Sequence, residues 1–298
     1  MKIPIILFIG FLLTTCASSN VHQKSESLAD LIKSGKNVSF QNVTFEEEID
    51  FTQFEKNLIS EGVYQVRIES SITFQDCIFK GKVRTYQKDE NQNIVLTSFQ
   101  SNLTFIGCIF HEEAVFRASS ILGRTDFTKS LFLSTANFEE CTFFQNAYFR
   151  ASAFHEELRF QNAVFFQKAN FLNAEFDQTA SFQASTFNSE AQFSSTKFLG
   201  YADFGLIRCL GNFYANYAEF SGRAVFNRGL FFGQADMTDL TFKHCEMQNC
   251  MYYSIVRFTK STVNEVFILD NSFFLAGTPD LSSFDQDKLS LRGVLKQE

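Results

Sequence analysis

Ala136-Asn137-Phe138-Glu139-Glu140-Cys141-Thr142-Phe143-Phe144-Gln145-Asn146-Ala147-Tyr148-Phe149 is the stretch that decides the fold of this chain. Phe138, Phe143 and Phe149 are five and then six residues apart, and each has a small residue two positions earlier: Ala136, Cys141 and Ala147. Continued outward, the alternating step reaches 24 sites from Phe105 to Phe231, of which 21 are Phe and the exceptions are Ile121, Cys209 and Ala215. Phe makes up 40 of 298 residues, so chance would place about three there, and a beat this regular marks a repeat architecture. At the position two before each site, 20 residues are small; Leu103, Leu158, Ile207 and Phe213 are not.

A spacing of two puts side chains on one side of an extended backbone. Each unit therefore offers one small and one large residue to the same interior. Helix is excluded, because steps of five and six turn successive Phe by about 140° and 240° around a helix axis, far from one stripe. A leucine-rich repeat lacks its leucines here. A sandwich built of hairpins needs turn signals such as Asn-Gly. Short extended segments joined by corners remain, which is a β-solenoid. Volume is exchanged within two units: Cys209 and Ala215 stand where Phe is usual, and Ile207 and Phe213 stand where a small residue is usual. Close packing of one interior requires such compensation.

Ala136-Asn137-Phe138, Ala169-Asn170-Phe171 and Ala202-Asp203-Phe204 resemble the A-(D/N)-(L/F)-x-x unit of the pentapeptide-repeat family. The resemblance covers roughly residues 102–258, with fainter units at Phe40, Phe45, Phe51, Phe74 and Phe79. It implies an all-β, right-handed, parallel quadrilateral β-helix with the central residue and its i−2 neighbour pointing inward. The six-residue step departs from the family's spacing. It resembles a variant in which every second corner has one extra residue, so a coil would hold 22 residues instead of 20.

The domain reading follows the beat. Residues 1–15 read as a signal peptide: Lys2, then an apolar run over 3–13 that is too short to cross a membrane comfortably. Leu13-Thr14-Thr15-Cys16 resembles a bacterial lipobox, with Cys16 as the lipidation site; Thr15 departs from the usual Gly, Ala or Ser. Cleavage after Ala17 is the alternative. Residues 16–27 would form a tether and 28–270 the β-helix, with insertions near 57–71 and 80–102. Ser27 to Gly35 reads as a short helix, Ser27 at its start, capping the first coil. Residues 271–298 have lost the repeat and read as a tail or cap over the last coil.

The formal charge of −7 gives no basic nucleic-acid surface. The cysteines fall mostly on inward positions, as buried thiols; Cys77 and Cys108 form the best candidate for a bridge if 80–102 is looped out. His111-Glu112-Glu113 recurs as His155-Glu156-Glu157, but two coils apart is about 9.6 Å, too far for both histidines to hold one metal ion. No metal, cofactor, small-molecule substrate or catalytic residue is expected. One surface feature appears only in the 22-residue register: the first residue after every fourth centre is Leu122, Phe144, Phe166, Asn188, Leu210 and Phe232. Five coil steps would line these up over about 24 Å. Leu122, Phe144, Phe166, Leu210 and Phe232 thus form a candidate partner-binding stripe, unless the tail covers them or the corner folds them in. The function expected is a non-catalytic cell-envelope lipoprotein, anchored to the membrane through Cys16, that scaffolds or binds an unknown protein or a second copy. The alternatives are an intracellular DNA mimic of the gyrase-protecting kind, and a carbohydrate-active β-helix enzyme.

Overall fold

The computed structural model describes residues 25–296. The signal segment 1–15, Cys16 and residues 16–24 of the tether lie outside the described residues. The rest is a parallel β-solenoid whose coils have four short faces. One coil makes the geometry plain. Its strands are Ala147–Tyr148, Ala153–Phe154, Leu158–Arg159 and Val164–Phe165. We call these the first to fourth faces. Each pairs in parallel with the next coil 22 residues on: Ala147 with Ala169, Ala153 with Glu175, Leu158 with Ala180 and Val164 with Thr186. Ten strands stack along the first face, from Val38–Gln41 to Val256–Arg257.

The corners alternate between two kinds. Arg150-Ala151 and Gln161-Asn162 are two-residue corners. In each, the second residue has positive φ, and the centre's carbonyl accepts from the amide three residues on (Ser152 N to Phe149 O, Ala163 N to Phe160 O). That is the geometry of a type II turn. His155-Glu156-Glu157 and Phe166-Gln167-Lys168 are three-residue corners without a positive φ. The Asn or Asp before a centre caps the two-residue corner: Asn137 Oδ1 accepts from Glu139 N, Asn170 Oδ1 from Leu172 N and Asp203 Oδ1 from Gly205 N. Such local side-chain bonds are why Asn and Asp favour turns.

The interior is a set of phenylalanine stacks. Phe149 stacks on Phe127 and Phe171, with centroids 5.3 and 5.0 Å apart, and meets Phe138 and Phe160 edge-on across the rod. Near-parallel rings along the axis and edge-to-face rings across it both suit the ring quadrupole. Buried serines at the small inward sites are satisfied by the backbone of the coil below: Ser130 Oγ donates to Phe105 O, Ser152 Oγ to Phe127 O and Ser185 Oγ to Phe160 O. The Cys141 thiol donates to Phe116 O in the same manner. The exchanged unit is interior throughout, since Ile207, Cys209, Phe213 and Ala215 are all buried.

Several boundaries differ from the sequence reading. The helix, α1, spans Ser25–Lys33, so Ser27 lies within it and not at its cap. Gly35, at φ +69°, ends it by donating to Ile32 O. Leu28 and Ile32 join the buried cluster that contains Ile49 and Phe51 of the first coil. Both insertions are hairpins on the fourth-face sheet. Lys56–Ser60 pairs antiparallel with Val63–Ile68, and Tyr86–Lys88 antiparallel with Ile94–Phe99. Val83–Arg84 is not part of the second hairpin; it is a third-face strand between Ile49–Asp50 and Ala114–Val115. Phe99 is likewise a centre, in register with Ile121. Beyond Phe242 the coil shortens by one residue: Phe220 pairs with Phe242, but Ala224 pairs with Cys245. The segment from Asn271 continues the rod. Phe273–Phe274 pairs with Met251–Tyr252, and Leu295–Lys296 pairs with Phe273–Phe274. Its loss of the Phe beat reflects an irregular run between those strands, in which Phe284 still reaches the core beside Phe258 and Phe267.

Candidate partner-binding surface

A strand that alternates inward and outward leaves the fourth centre buried and the next residue free. Phe143 is buried and Phe144 is 39 % exposed; Phe165 is buried and Phe166 is 43 % exposed. The amide of each outward residue donates to the centre one coil below: Leu122 N to Phe99 O, Phe144 N to Ile121 O, Phe166 N to Phe143 O, Asn188 N to Phe165 O, Leu210 N to Phe187 O and Phe232 N to Cys209 O. The structure therefore brings Leu122, Phe144, Phe166, Leu210 and Phe232 into one column on one corner. All five are 38–43 % exposed. The tail adds a further coil at the end of the rod and leaves them exposed.

Two further members lie off the 22-residue lattice. Tyr253 N donates to Phe231 O and Leu275 N to Tyr252 O, which adds both to the column. The 21-residue coil near Phe242 shifted them off the 22-residue lattice; a lattice allowed to slip once would have found them. The column then spans seven coil steps from Leu122 to Leu275, or about 34 Å. Aromatic members stack outside as the core does inside: Phe144 on Phe166 at 5.1 Å and Phe232 on Tyr253 at 4.5 Å.

Its immediate surroundings carry little charge. The next corner positions are Gly123, Gln145, Gln167, Ser189, Gly211, Gly233, Ser254 and Ala276, and the last positions of the same corner hold three charges, Arg124, Lys168 and Glu190. The outward positions of the adjoining fourth face are Ser120, Thr142, Val164, Thr186, Arg208, Leu230, Met251 and Phe273, with one charge, Arg208. Towards the C-terminal end the patch widens, since Leu230, Met251, Phe273 and Leu295 are in register beside Phe232, Tyr253 and Leu275.

Most of the rod's charges lie away from the column, and many, on this corner and the others, are paired. Arg117 meets Glu139 and Glu140, Arg159 meets Glu157, Lys168 meets Glu190, Lys197 meets Glu175, and Arg223 meets Glu246. His155 pairs with Asp177, with Leu133 between it and His111 on the same corner. Among the described residues, no group of three or more His, Cys, Asp or Glu could hold a metal ion. Buried thiols are pushed up by desolvation: Cys141 and Cys209 well above the ordinary range and Cys250 to about 11.

Comparison with known proteins gives two findings. The family described as pentapeptide repeats (9 copies) matches residues 138–186, so that segment carries repeats of this kind. The structure of full-length QnrB1, a plasmid-mediated fluoroquinolone resistance protein, is similar at 11 % identity over 88 % of this chain and 92 % of that one, with a TM-score of 0.26. A superposition that loose carries no functional argument. No curated protein matches the chain.

Proposed function

We propose that this chain is a non-catalytic scaffolding rod of the bacterial cell envelope, anchored by lipid at Cys16, that docks a protein partner along the uncharged column from Leu122 to Leu275. One observation carries the docking half: large apolar side chains repeat at one corner over seven coil steps, broken only by Asn188, with a single charge on the adjoining face. A soluble surface normally scatters its apolar residues, and a contiguous patch of this kind marks an interaction site. The envelope half rests on Leu13-Thr14-Thr15-Cys16 after a short apolar run.

The test has two arms. A photo-crosslinker placed at Gln145 should capture one partner, or a second copy, in cells, and Phe144→Ser with Phe166→Ser should abolish that product. Crosslinking unaffected by the double change would remove the column from the proposal. Metabolic labelling with a fatty-acid analogue should mark the wild type and not Cys16→Ser; equal labelling, or none in either, would remove the anchor.

The intracellular DNA-mimic reading has the net charge of −7 in its favour. Against it, Glu139, Glu140, Glu175, Glu190 and Glu246 face Arg or Lys on neighbouring coils, which weakens the field such a mimic needs. Cytoplasmic fractionation together with gyrase binding would favour it over the envelope reading.

A further inference from the structure

The inward sites two before each centre of the second face form one column through the rod, which begins Val43, Cys77, Cys108, Ser130 and Ser152. Ile78 pairs with Ile109 and Ile109 with Leu131, so the residues just before them sit one coil apart. Cys77 and Cys108 are both fully buried and both free. Their thiols are near enough to influence each other's ionisation. Each also donates to backbone carbonyls, Cys77 to Phe40 O and Gln75 O and Cys108 to Phe74 O and Ile106 O, as Cys141 does to Phe116 O.

We propose that Cys77 and Cys108 are a disulfide-forming pair, a covalent staple between the coils on either side of the second inserted hairpin. Adjacent parallel strands lie about 4.8 Å apart, inside the roughly 4.4–6.8 Å that a disulfide spans between Cα atoms. The staple has a structural logic. Between these two cysteines lie Tyr86–Lys88 and Ile94–Phe99, where the regular coil is interrupted. A bridge would close that interruption and restrict the unfolded chain. Hydrogen bonding to Cys108 brings the Cys77 thiol down to about 7, while Cys108 is pushed up.

The reaction needs a disulfide oxidant such as glutathione disulfide. The thiolate of one of the two cysteines attacks one oxidant sulfur, forms a mixed disulfide and expels one glutathione thiolate. The other cysteine's sulfur, losing its proton, then displaces the second. Two protein thiols lose two electrons and two protons, and one glutathione disulfide becomes two glutathione thiols. Because both sulfurs are buried in the folded rod, closure takes place during folding or on opening of the first coils.

The test is refolding of the full chain in a glutathione redox buffer, alkylation of remaining thiols, and tryptic mapping without reductant. The expected product links peptide 68–80 to peptide 89–117. It should vanish on reduction and in Cys108→Ser, and the oxidised protein should melt several degrees above the reduced one. Cys108→Ser should fold, since Ser130 and Ser152 fill equivalent sites. Six free thiols from Cys77 to Cys250, glutathione adducts alone, or a link between other cysteines would each overturn the proposal.

Discussion

Phe144 stacks on Phe166 at 5.1 Å on the outside of the rod, while their chain neighbours Phe143 and Phe165 stack at 4.7 Å inside it. Two identical side chains in succession thus belong to different columns, one buried and one half-exposed. The difference is the pleat: successive residues of an extended chain point to opposite sides. The exposed column therefore follows from the same 22-residue register as the core.

This relationship separates surface from core by mutation. Phe144→Ser with Phe166→Ser should lower stability by about 1 kcal/mol or less per site, as for partly exposed residues. Phe143→Ser should cost more than about 3 kcal/mol, from lost burial and an interior hydroxyl. Urea titrations of the folded rod compare the two directly. A large loss in the Phe144 and Phe166 variant would make that column structural.

Core truncation should respect the volume exchange. Phe171→Ala should destabilise by about 3–5 kcal/mol. Phe213→Ala should cost a similar amount, though it lies two residues off the lattice, because Phe213 is buried against Phe193, Phe204, Phe226 and Phe231. A cost below about 1 kcal/mol for Phe213→Ala, read from denaturant midpoints, would contradict that packing.

Leu206 occupies the left-handed position of a two-residue corner, at φ +59°, and is exposed. Asn holds the same position at 162, 173, 249 and 271. Leu206→Asn should raise stability by about 1 kcal/mol, since Asn visits this conformation at lower steric cost. A calorimetric scan should show a higher melting temperature, and a drop would indicate that Leu206 contributes packing instead.

Glu246 sets an acid limit on the rod. Burial alone would raise its pKa, but hydrogen bonds from His244, Arg223 and Asn227 outweigh burial and hold it below the ordinary carboxylate range. A depressed folded pKa contributes stability that is present above the unfolded value and is lost as pH falls through the folded value. Urea midpoints measured from pH 7 down to pH 3 should fall more steeply in the wild type than in Glu246→Gln. Parallel curves would rule this group out as a source of acid sensitivity.

The alternation of Phe and small residues by itself determined the solenoid, its interior columns and the five original members of the outer stripe. Side-chain direction in an extended chain has a period of two, and each coil repeats the one before, so one register predicts every level. The sequence also brought Cys77 and Cys108 together once the insertion between them was set aside. Tertiary structure decided the remainder. Whether residues from Asn271 onward would cover the stripe or lengthen the rod depended on strand pairing with Met251–Tyr252, which no local pattern encodes. The slip of one residue after Phe242, which carries Tyr253 and Leu275 into the stripe, arises in pairing between coils rather than within one. Val83 and Phe99 were hidden for the same reason: in an interrupted coil, only the neighbouring coil's hydrogen bonds define which residues continue it.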